Sequence, residues 1–410
     1  MTTSQPVKIL HFADAHIDMA NYGRHDPNTA LPVRVGDFLH ALDQIVDAAI
    51  EEKVDFVLFA GDAYKDRNPQ PTFQRAWGKR MMRLAEAKIP TLLLIGNHDV
   101  SPSSGRAHTL QEFTTLDVPY MHVADSIKLW TPEELGIPLQ VISLPWVSRS
   151  MLMNREDMQG KNLNDILSEM ADRVSEFISQ LIERADKDIP LILTAHTSIE
   201  GAKYGSERQV MLGRELTLSP RLVRNKTLDY VALGHIHKHQ SLNDGDAHPP
   251  IIYPGSIERV DFGEIREKKG FILADVTNGD TNWQFIRLDT RRFIDKKVET
   301  READSFMADI LNQLPLEDEV ENAICRVSLS YPRDWEPMLD EKAILDRFKK
   351  ALDIKIVKNY TVEDRTRLGD TVEFKSLTPI ELLDKYWGTK GLHEANAAEM
   401  KALAQDILGE

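Results

Sequence analysis

The sequence predicts an α/β protein, and two observations carry that reading. Apolar runs of strand length alternate with stretches of helical periodicity, and the runs end in glycine followed by acidic, amide or imidazole side chains. Open α/β sheets place their sites at such strand ends.

Val7-Lys8-Ile9-Leu10-His11-Phe12-Ala13 reads as the first strand and closes with Asp14-Ala15-His16. Asp14 and His16 are two residues apart, so on an extended backbone they point the same way. After a polar loop, Phe38, Leu39, Leu42, Ile45, Val46, Ala49 and Ile50 recur at helical spacing. They predict an amphipathic helix over roughly Arg34 to Lys53 whose apolar stripe lies on a sheet. The strand Asp55 to Ala60 closes with Gly61-Asp62. A helix over about Thr72 to Ala87 leads to Pro90-Thr91-Leu92-Leu93-Leu94-Ile95, which Gly96 breaks, delivering Asn97, His98 and Asp99. These three residue types are good metal or phosphate ligands and poor core residues.

Short strands broken by turns are expected over Tyr120 to Leu144. An amphipathic helix is expected over Asn162 to Ala185, with Ile166, Met170, Val174, Phe177, Ile178 and Leu181 on one side. The strand Ile189 to Ala195 ends in His196. The strand Asp229 to Leu233 ends in Gly234-His235-Ile236-His237, where alternation puts the two histidines on one side.

Strands near Gly270 to Val276 and Asn282 to Leu288 close a large domain over 1–288. A smaller α/β unit is expected over 289–375, built from the strand Ile324 to Tyr331, the helix Glu341 to Leu352 and the strand Lys355 to Tyr360. Thr378-Pro379-Ile380-Glu381 then opens a helix, with threonine as cap, proline in the first turn and glutamate reaching back. With a last helix carrying Met400, Leu403 and Ile407 it forms a C-terminal segment over 376–410.

A formal net charge of −15 over 410 residues excludes a broad basic surface for nucleic acid. Contact with DNA must come from a local patch or from bound cations. No signal segment and no membrane span are expected, and a single cysteine, Cys325, excludes an intramolecular disulfide. Cys325 sits in an alternating run and reads as a small buried apolar residue. A cytoplasmic protein is expected.

Collected from strand ends, the candidates are Asp14, His16, Asp62, Asn97, His98, His196, His235 and His237. Carboxylate, imidazole and amide oxygen together suit Mn²⁺, Zn²⁺ or Fe²⁺ better than Ca²⁺ or Mg²⁺. So many donors suit two ions sharing a bridging carboxylate better than one open site. Two ions roughly 3.5–4 Å apart clamp a phosphate and bring the pKa of a bound water near neutrality. The expected chemistry is phosphoester hydrolysis by a metal-bound hydroxide.

Asp-x-His, Gly-Asp, Gly-Asn-His-Asp, a lone histidine after a strand and Gly-His-x-His, in this order, resemble the signature of the calcineurin-like metallophosphoesterases. The resemblance implies a metallophosphoesterase fold of two packed β-sheets flanked by helices. It further implies that Asp14, His16 and His237 hold one ion, that Asn97, His196 and His235 hold a second, and that Asp62 bridges. His98 falls where the family places a histidine that contacts the phosphate and helps the leaving group, with Asp99 orienting it.

Protein phosphatases of this fold carry Gly-Asp-x-x-Asp-Arg-Gly and Gly-Asn-His-Glu. Here the Asp66-Arg67 pair comes one residue late without a following glycine, and the later motif ends in Asp99, which counts against a phosphoprotein phosphatase. The chain is more similar to the SbcD family of nucleases. Tyr253-Pro254-Gly255-Ser256-Ile257-Glu258-Arg259, Asp261-Phe262-Gly263-Glu264 and Lys269-Gly270-Phe271 carry that likeness, and the small unit and final helices match its capping domain and ATPase-gripping region in position. The resemblance implies Mn²⁺-dependent exonuclease and endonuclease activity on DNA ends in DNA repair, a homodimer associated with the nucleoid, and an SbcC-type coiled-coil ATPase as partner.

Tyr64-Lys65 stands where many relatives have a histidine, and Asp18 where glycine is usual. Lys65 and Arg67 are the candidate DNA contacts, and Arg75, Lys79, Arg80 and Arg83 are either a continuation of that patch or a solvated helix face. Two alternatives stand beside the nuclease: a cyclic-nucleotide or small-molecule phosphodiesterase of the same fold, and a non-catalytic DNA-end-binding scaffold.

Overall fold

The computed structural model describes residues 5–101, 106–148, 159–205, 215–243, 247–300, 302–361, 378–389 and 394–408. The chain forms two compact units. One comprises Met1–Asp295, Leu316–Arg326 and Phe348–Ile354, the other Lys296–Pro315, Val327–Arg347 and Lys355–Glu410.

The first unit runs β1 (Val7–Phe12), α1 (Val33–Glu51), β2 (Phe56–Phe59), α2 (Pro71–Glu86), β3 (Thr91–Leu94), β4 (Met121–Ala124), β5 (Lys128–Trp130), β6 (Gln140–Leu144) and α3 (Leu163–Arg184). It continues with β7 (Leu191–His196), β8 (Ser198–Ile199), β9 (Thr217–Leu218), β10 (Tyr230–Gly234), β11 (Gln240–Ser241), β12 (Ile251–Tyr253), β13 (Gly270–Thr277) and β14 (Asp280–Arg287). Two six-stranded sheets result, ordered β14-β13-β1-β2-β3-β4 and β11-β12-β10-β7-β6-β5. The neighbours β1, β2, β3 and β4 are parallel, as are β6, β7, β10 and β12; β13 and β14 join the first sheet antiparallel, β5 and β11 are antiparallel edges of the second, and β8 and β9 form a separate parallel pair.

The central strands read as unbroken apolar runs because both of their faces are covered. Ile9, Leu58, Leu92, Val141, Ile192 and Ala232 form the layer between the sheets. Leu10, Phe12 and Phe59 face the other way, onto Phe38 and Leu42 of α1 and Trp77 and Met81 of α2. On the outer face of the second sheet, Leu193 and Val231 meet Ile166, Met170, Val174 and Ile178 of α3. The result is a helix–sheet–sheet–helix stack. The stripe of α3 keeps a four-residue period, so Phe177, expected on it, falls on the flank and is 43% exposed. Asn162 caps α3, its side-chain oxygen accepting from the Asp165 amide at 3.0 Å.

His11 stands in the layer between the sheets, its Nδ1 3.0 Å from the Tyr230 hydroxyl of the facing sheet. Burial opposes the cationic ring and lowers its pKa from 6.5 to about 3. The unfolded chain takes up this proton below pH 6.5 while the folded one does not, so stability falls as pH drops from about 6.5 toward 3. The expected slope is roughly 1.4 kcal/mol per pH unit for this group. Urea unfolding between pH 7 and 4 should show that slope in excess of the His11→Asn variant, and parallel curves would refute it.

Strands β15 (Phe293–Glu299), β16 (Ile324–Pro332) and β17 (Asp353–Thr361) form a three-stranded sheet in that order. The first of them is not legible from the sequence, where charged residues interrupt the alternation and only Phe293 and Val298 are buried. The helix expected to reach Leu352 stops at Arg347, because the Leu352 amide pairs with the Ala323 carbonyl at 2.9 Å instead of continuing the helix. In the second unit, the Phe306 ring packs against Tyr331 and Trp335. Cys325 is buried, as its place in an alternating run implied.

The helix Pro379–Thr389 opens with the expected reciprocal cap: the Thr378 amide donates to Glu381, and the Glu381 amide donates to the Thr378 hydroxyl. Trp387 is buried, whereas Met400, Leu403 and Ile407 of the last helix are exposed. Residues 362–375 of the expected small unit lie outside the described residues.

Candidate metal centre

The carboxyl ends of both sheets converge. Past β1 come Asp14 and His16, past β2 Asp62, and past β3 Asn97, while His196 ends β7 and His235 and His237 follow β10. All are buried in the first unit. The backbone turns sharply to aim them: Asp14, His16, Asp62 and His235 have φ of 51°, 39°, 65° and 96°, in the left-handed region. Each such residue costs about 1–3 kcal/mol and persists only where packing enforces it. The glycines permit the close approach. A Cβ on Gly96 would lie 2.2 Å from Asp62 Oδ1, and one on Gly234 would lie 2.0 Å from the Ala60 carbonyl oxygen.

Each histidine has one nitrogen held by an acceptor. His16 Nδ1 donates to the Tyr64 carbonyl at 3.1 Å and His196 Nδ1 to the Ala60 carbonyl at 2.7 Å. His237 Nδ1 meets Glu264 at 2.9 Å, and His235 Nε2 meets Glu215 at 2.6 Å. A carbonyl or carboxylate oxygen only accepts, so in the neutral rings the opposite nitrogens are bare lone pairs.

Those lone pairs converge. His16 Nε2 and His237 Nε2 lie 3.1 Å apart, and His196 Nε2 and His235 Nδ1 each lie 3.0 Å from Asn97 Oδ1. Asp62 Oδ2 stands between the groups, 3.8 Å from His16 Nε2 and 3.4 Å from His196 Nε2. Facing lone pairs repel unless a cation sits among them, so this donor set fits divalent ions. Among the described residues, Asp14, His16 and His237 form one potential metal-holding group, and Asp14, Asp62 and His196 another.

The electrostatics agree. Burial opposes the charge on Asp62, but His196 and His98 outweigh it and hold the carboxyl well below the usual range. Burial keeps the His16 ring neutral, ready to donate a lone pair. At His196 burial also disfavours the cation, yet the Asp62 charge raises the pKa to about 9, marking a place where positive charge is favoured.

Residues 7–239 match the calcineurin-like phosphoesterase family. The chain belongs to that family. Its members typically bind two divalent metals, which the converging donors here accommodate. The chain is similar to the uncharacterized metallophosphoesterase YhaO of Bacillus subtilis strain 168, at 28% identity over 287 residues. The match covers 68% of this chain and 59% of YhaO. Among solved structures it is similar to TT1561 of Thermus thermophilus, at 15% identity and a TM-score of 0.39, covering 69% of this chain and 100% of that one. A dimetal phosphatase from Danio rerio gives 12% identity and a TM-score of 0.40, covering 68% and 99%. Among the described residues no helix is long and apolar enough to cross a membrane.

Within this calcineurin-like centre, the expectation that Asp99 orients His98 is corrected. The Asp99 carboxylate accepts from the amides of Asp62, Ala63 and Gly96 at 2.8, 3.1 and 2.9 Å and from the Thr109 hydroxyl at 3.1 Å. Its four lone-pair positions are thereby used, and it fastens the Asp62 loop to the Gly96 loop. His98 is held instead by Lys65: Nδ1 donates to the Lys65 carbonyl at 2.7 Å, and Nε2 lies 3.5 Å from Lys65 Nζ.

Tyr64 points away from the centre and packs in the core against Trp77, while the Asp18 carboxylate accepts the amides of Lys65 and Asp66 and shapes the same loop. Arg80 and Arg83 pair with Asp43 and Asp47 of α1, so that part of the basic stretch is a salt-bridged helix face. Sequence reasoning passed over Glu215 and Glu264. Glu264 ends the Asp261-Phe262-Gly263-Glu264 segment that carries the SbcD likeness, whereas Glu215 has no local signal.

Proposed function

We propose that this phosphoesterase is a nuclease of the SbcD type, hydrolysing phosphodiesters at DNA ends with Mn²⁺. One observation carries the reading: His98 opens onto a cleft of about 1060 Å³, lined also by His25, Lys65, Arg67, Asn68 and Phe73. Pockets for small molecules hold roughly 300–1,000 Å³, so this cleft is at the upper limit for such a ligand and has room for a nucleotide chain. Lys65 and Arg67 line the cleft beside Asp18 and Asp66, so phosphate contact there would come from the placement of the individual cations rather than from net charge.

Asp14, His16 and His237 would hold one ion and Asn97, His196 and His235 the other, with Asp62 between them. Bound ions supply Lewis acidity toward the phosphate. The chain's own contribution is positional. The Lys65 carbonyl takes the Nδ1 proton of His98 and leaves Nε2 facing the cleft, so that the ring, once protonated, would give its Nε2 proton to the leaving oxygen and return to the neutral form. Lys65 Nζ stands beside it to meet a phosphate oxygen. The same reading assigns residues 289–375 to a capping unit, and the exposed Leu403 and Ile407 to contact with a coiled-coil ATPase partner in a homodimeric complex.

The test is degradation of end-labelled linear duplex DNA with Mn²⁺, beside bis-p-nitrophenyl phosphate, with EDTA as control. DNA degradation abolished by EDTA is expected, and Lys65→Ala should lower the salt dependence of DNA binding by about one unit of slope. Ester hydrolysis with intact DNA would move the assignment to a small-molecule phosphodiesterase. DNA binding without bound ions or hydrolysis would move it to an end-binding scaffold.

A further inference from the structure

The histidines of the candidate centre are anchored in two different ways. His16 and His196 lean on neutral backbone carbonyls, whereas His235 and His237, the two of the Gly-His-x-His segment, lean on buried carboxylates. We propose that Glu264 and Glu215 are positioning residues, each strengthening one metal site through the outer nitrogen of one histidine. The inference rests on the two-ion reading of the centre.

The surroundings of both carboxylates are built for this task. Glu264 is fully buried; one oxygen takes His237 Nδ1, and the other takes the Val260 amide at 2.8 Å and Lys269 Nζ at 2.8 Å. Lys269 is itself buried; its three N–H groups reach the His237 carbonyl at 3.0 Å, the Ser256 hydroxyl at 2.8 Å and Glu267 at 2.9 Å, while its charge pairs with Glu264. It therefore holds both the backbone and, through Glu264, the ring of the same histidine. This accounts for two sequence segments, ending at Glu264 and beginning at Lys269, that the metal ligands leave unused.

Glu215 gives one oxygen to His235 Nε2 and the other to the hydroxyls of Ser198 and Tyr204, both at 2.9 Å. A carboxylate on the outer nitrogen fixes the ring's tautomer and orientation and makes the inner nitrogen a stronger donor. Because His237 and His235 fall in opposite ligand groups, the two glutamates act on different ions: Glu264 on the one beside Asp14 and His16, Glu215 on the one beside Asn97 and His196.

The experiment titrates the full-length, chelator-treated protein with Mn²⁺, following stoichiometry by calorimetry and spin coupling between the ions by EPR. Wild type is expected to bind two ions and show a coupled pair. Glu264→Gln and Glu215→Gln should each weaken one site about 10–100-fold, leaving an isolated Mn²⁺ signal where wild type is paired. In a His237→Ala background, Glu264→Gln should add nothing further, while Glu215→Gln should still weaken the remaining site. Affinities within about twofold of wild type, or equal weakening of both sites by either variant, would overturn the proposal.

Melting of the metal-free proteins controls for folding. If Glu264→Gln melts early, Glu264→Gln/Lys269→Met, which removes both buried charges together, is read in its place against the same two outcomes. A wild type that binds fewer than two ions would instead refute the two-ion reading, and the DNA assay decides the nuclease assignment separately.

Discussion

Asp62→Asn is expected to lose metal binding and hydrolysis together. The side chain keeps its size and can still accept the His98 amide, which reaches Asp62 Oδ1 at 2.8 Å. What it loses is the carboxylate charge placed between His16 and His196, leaving Asp14 as the remaining carboxylate of the two potential metal-holding groups. Without it the converging imidazole lone pairs keep only the Asp14 carboxylate to balance two divalent cations. The expected fall in turnover exceeds the roughly 10²–10³ that follows removal of a single electrostatic stabiliser, because the stabilisers themselves depart. Metal content after gel filtration and rate on bis-p-nitrophenyl phosphate are the measurements. A variant that retained two ions would contradict the bridging role.

His98→Ala is expected to do the opposite to the metals and nearly the same to the rate. His98 lies beside the cluster, its ring edge-on to His16 at 5.2 Å between centroids, with Nδ1 occupied by the Lys65 carbonyl. Removing it takes nothing from the converging donors, so both ions should remain. Positioned proton transfer contributes about 10²–10⁴-fold, and under the proposed nuclease reading that is the expected loss on DNA, whose alkoxide leaving group needs a proton. p-Nitrophenolate needs far less help, so the loss on bis-p-nitrophenyl phosphate should be smaller. Equal losses on both substrates would assign His98 to binding the phosphate rather than to the leaving oxygen.

Much of this centre was legible in the chain, because a strand's end is a local event. An apolar run, a glycine and a ligand residue lie within a few positions of one another, and the two-residue period decides which neighbours share a face. Asp14 with His16, Gly61-Asp62, Gly96 with Asn97, and His235 with His237 are all of this kind, and the structure brings all of them together. Asp99 does not hold the His98 ring for the opposite reason: beyond the nearby Gly96 amide, its partners come from Asp62, Ala63 and Thr109, and adjacency to His98 says nothing about them.

By itself the sequence determined the α/β alternation, the order of the ligand-bearing strand ends and the capped helix at Thr378, since propensity, periodicity and capping act over a few residues. Only the tertiary structure decided which acceptor each histidine leans on. Glu215 reaches His235 across a sequence distance of 20 residues, and Glu264 reaches His237 across 27. It also decided that Tyr64 turns into the core while Lys65 turns to His98, and that the helix after Glu341 ends at Arg347. Such choices depend on what two sheets and their helices bury against one another, and burial is a property of the assembled layers rather than of any segment of chain.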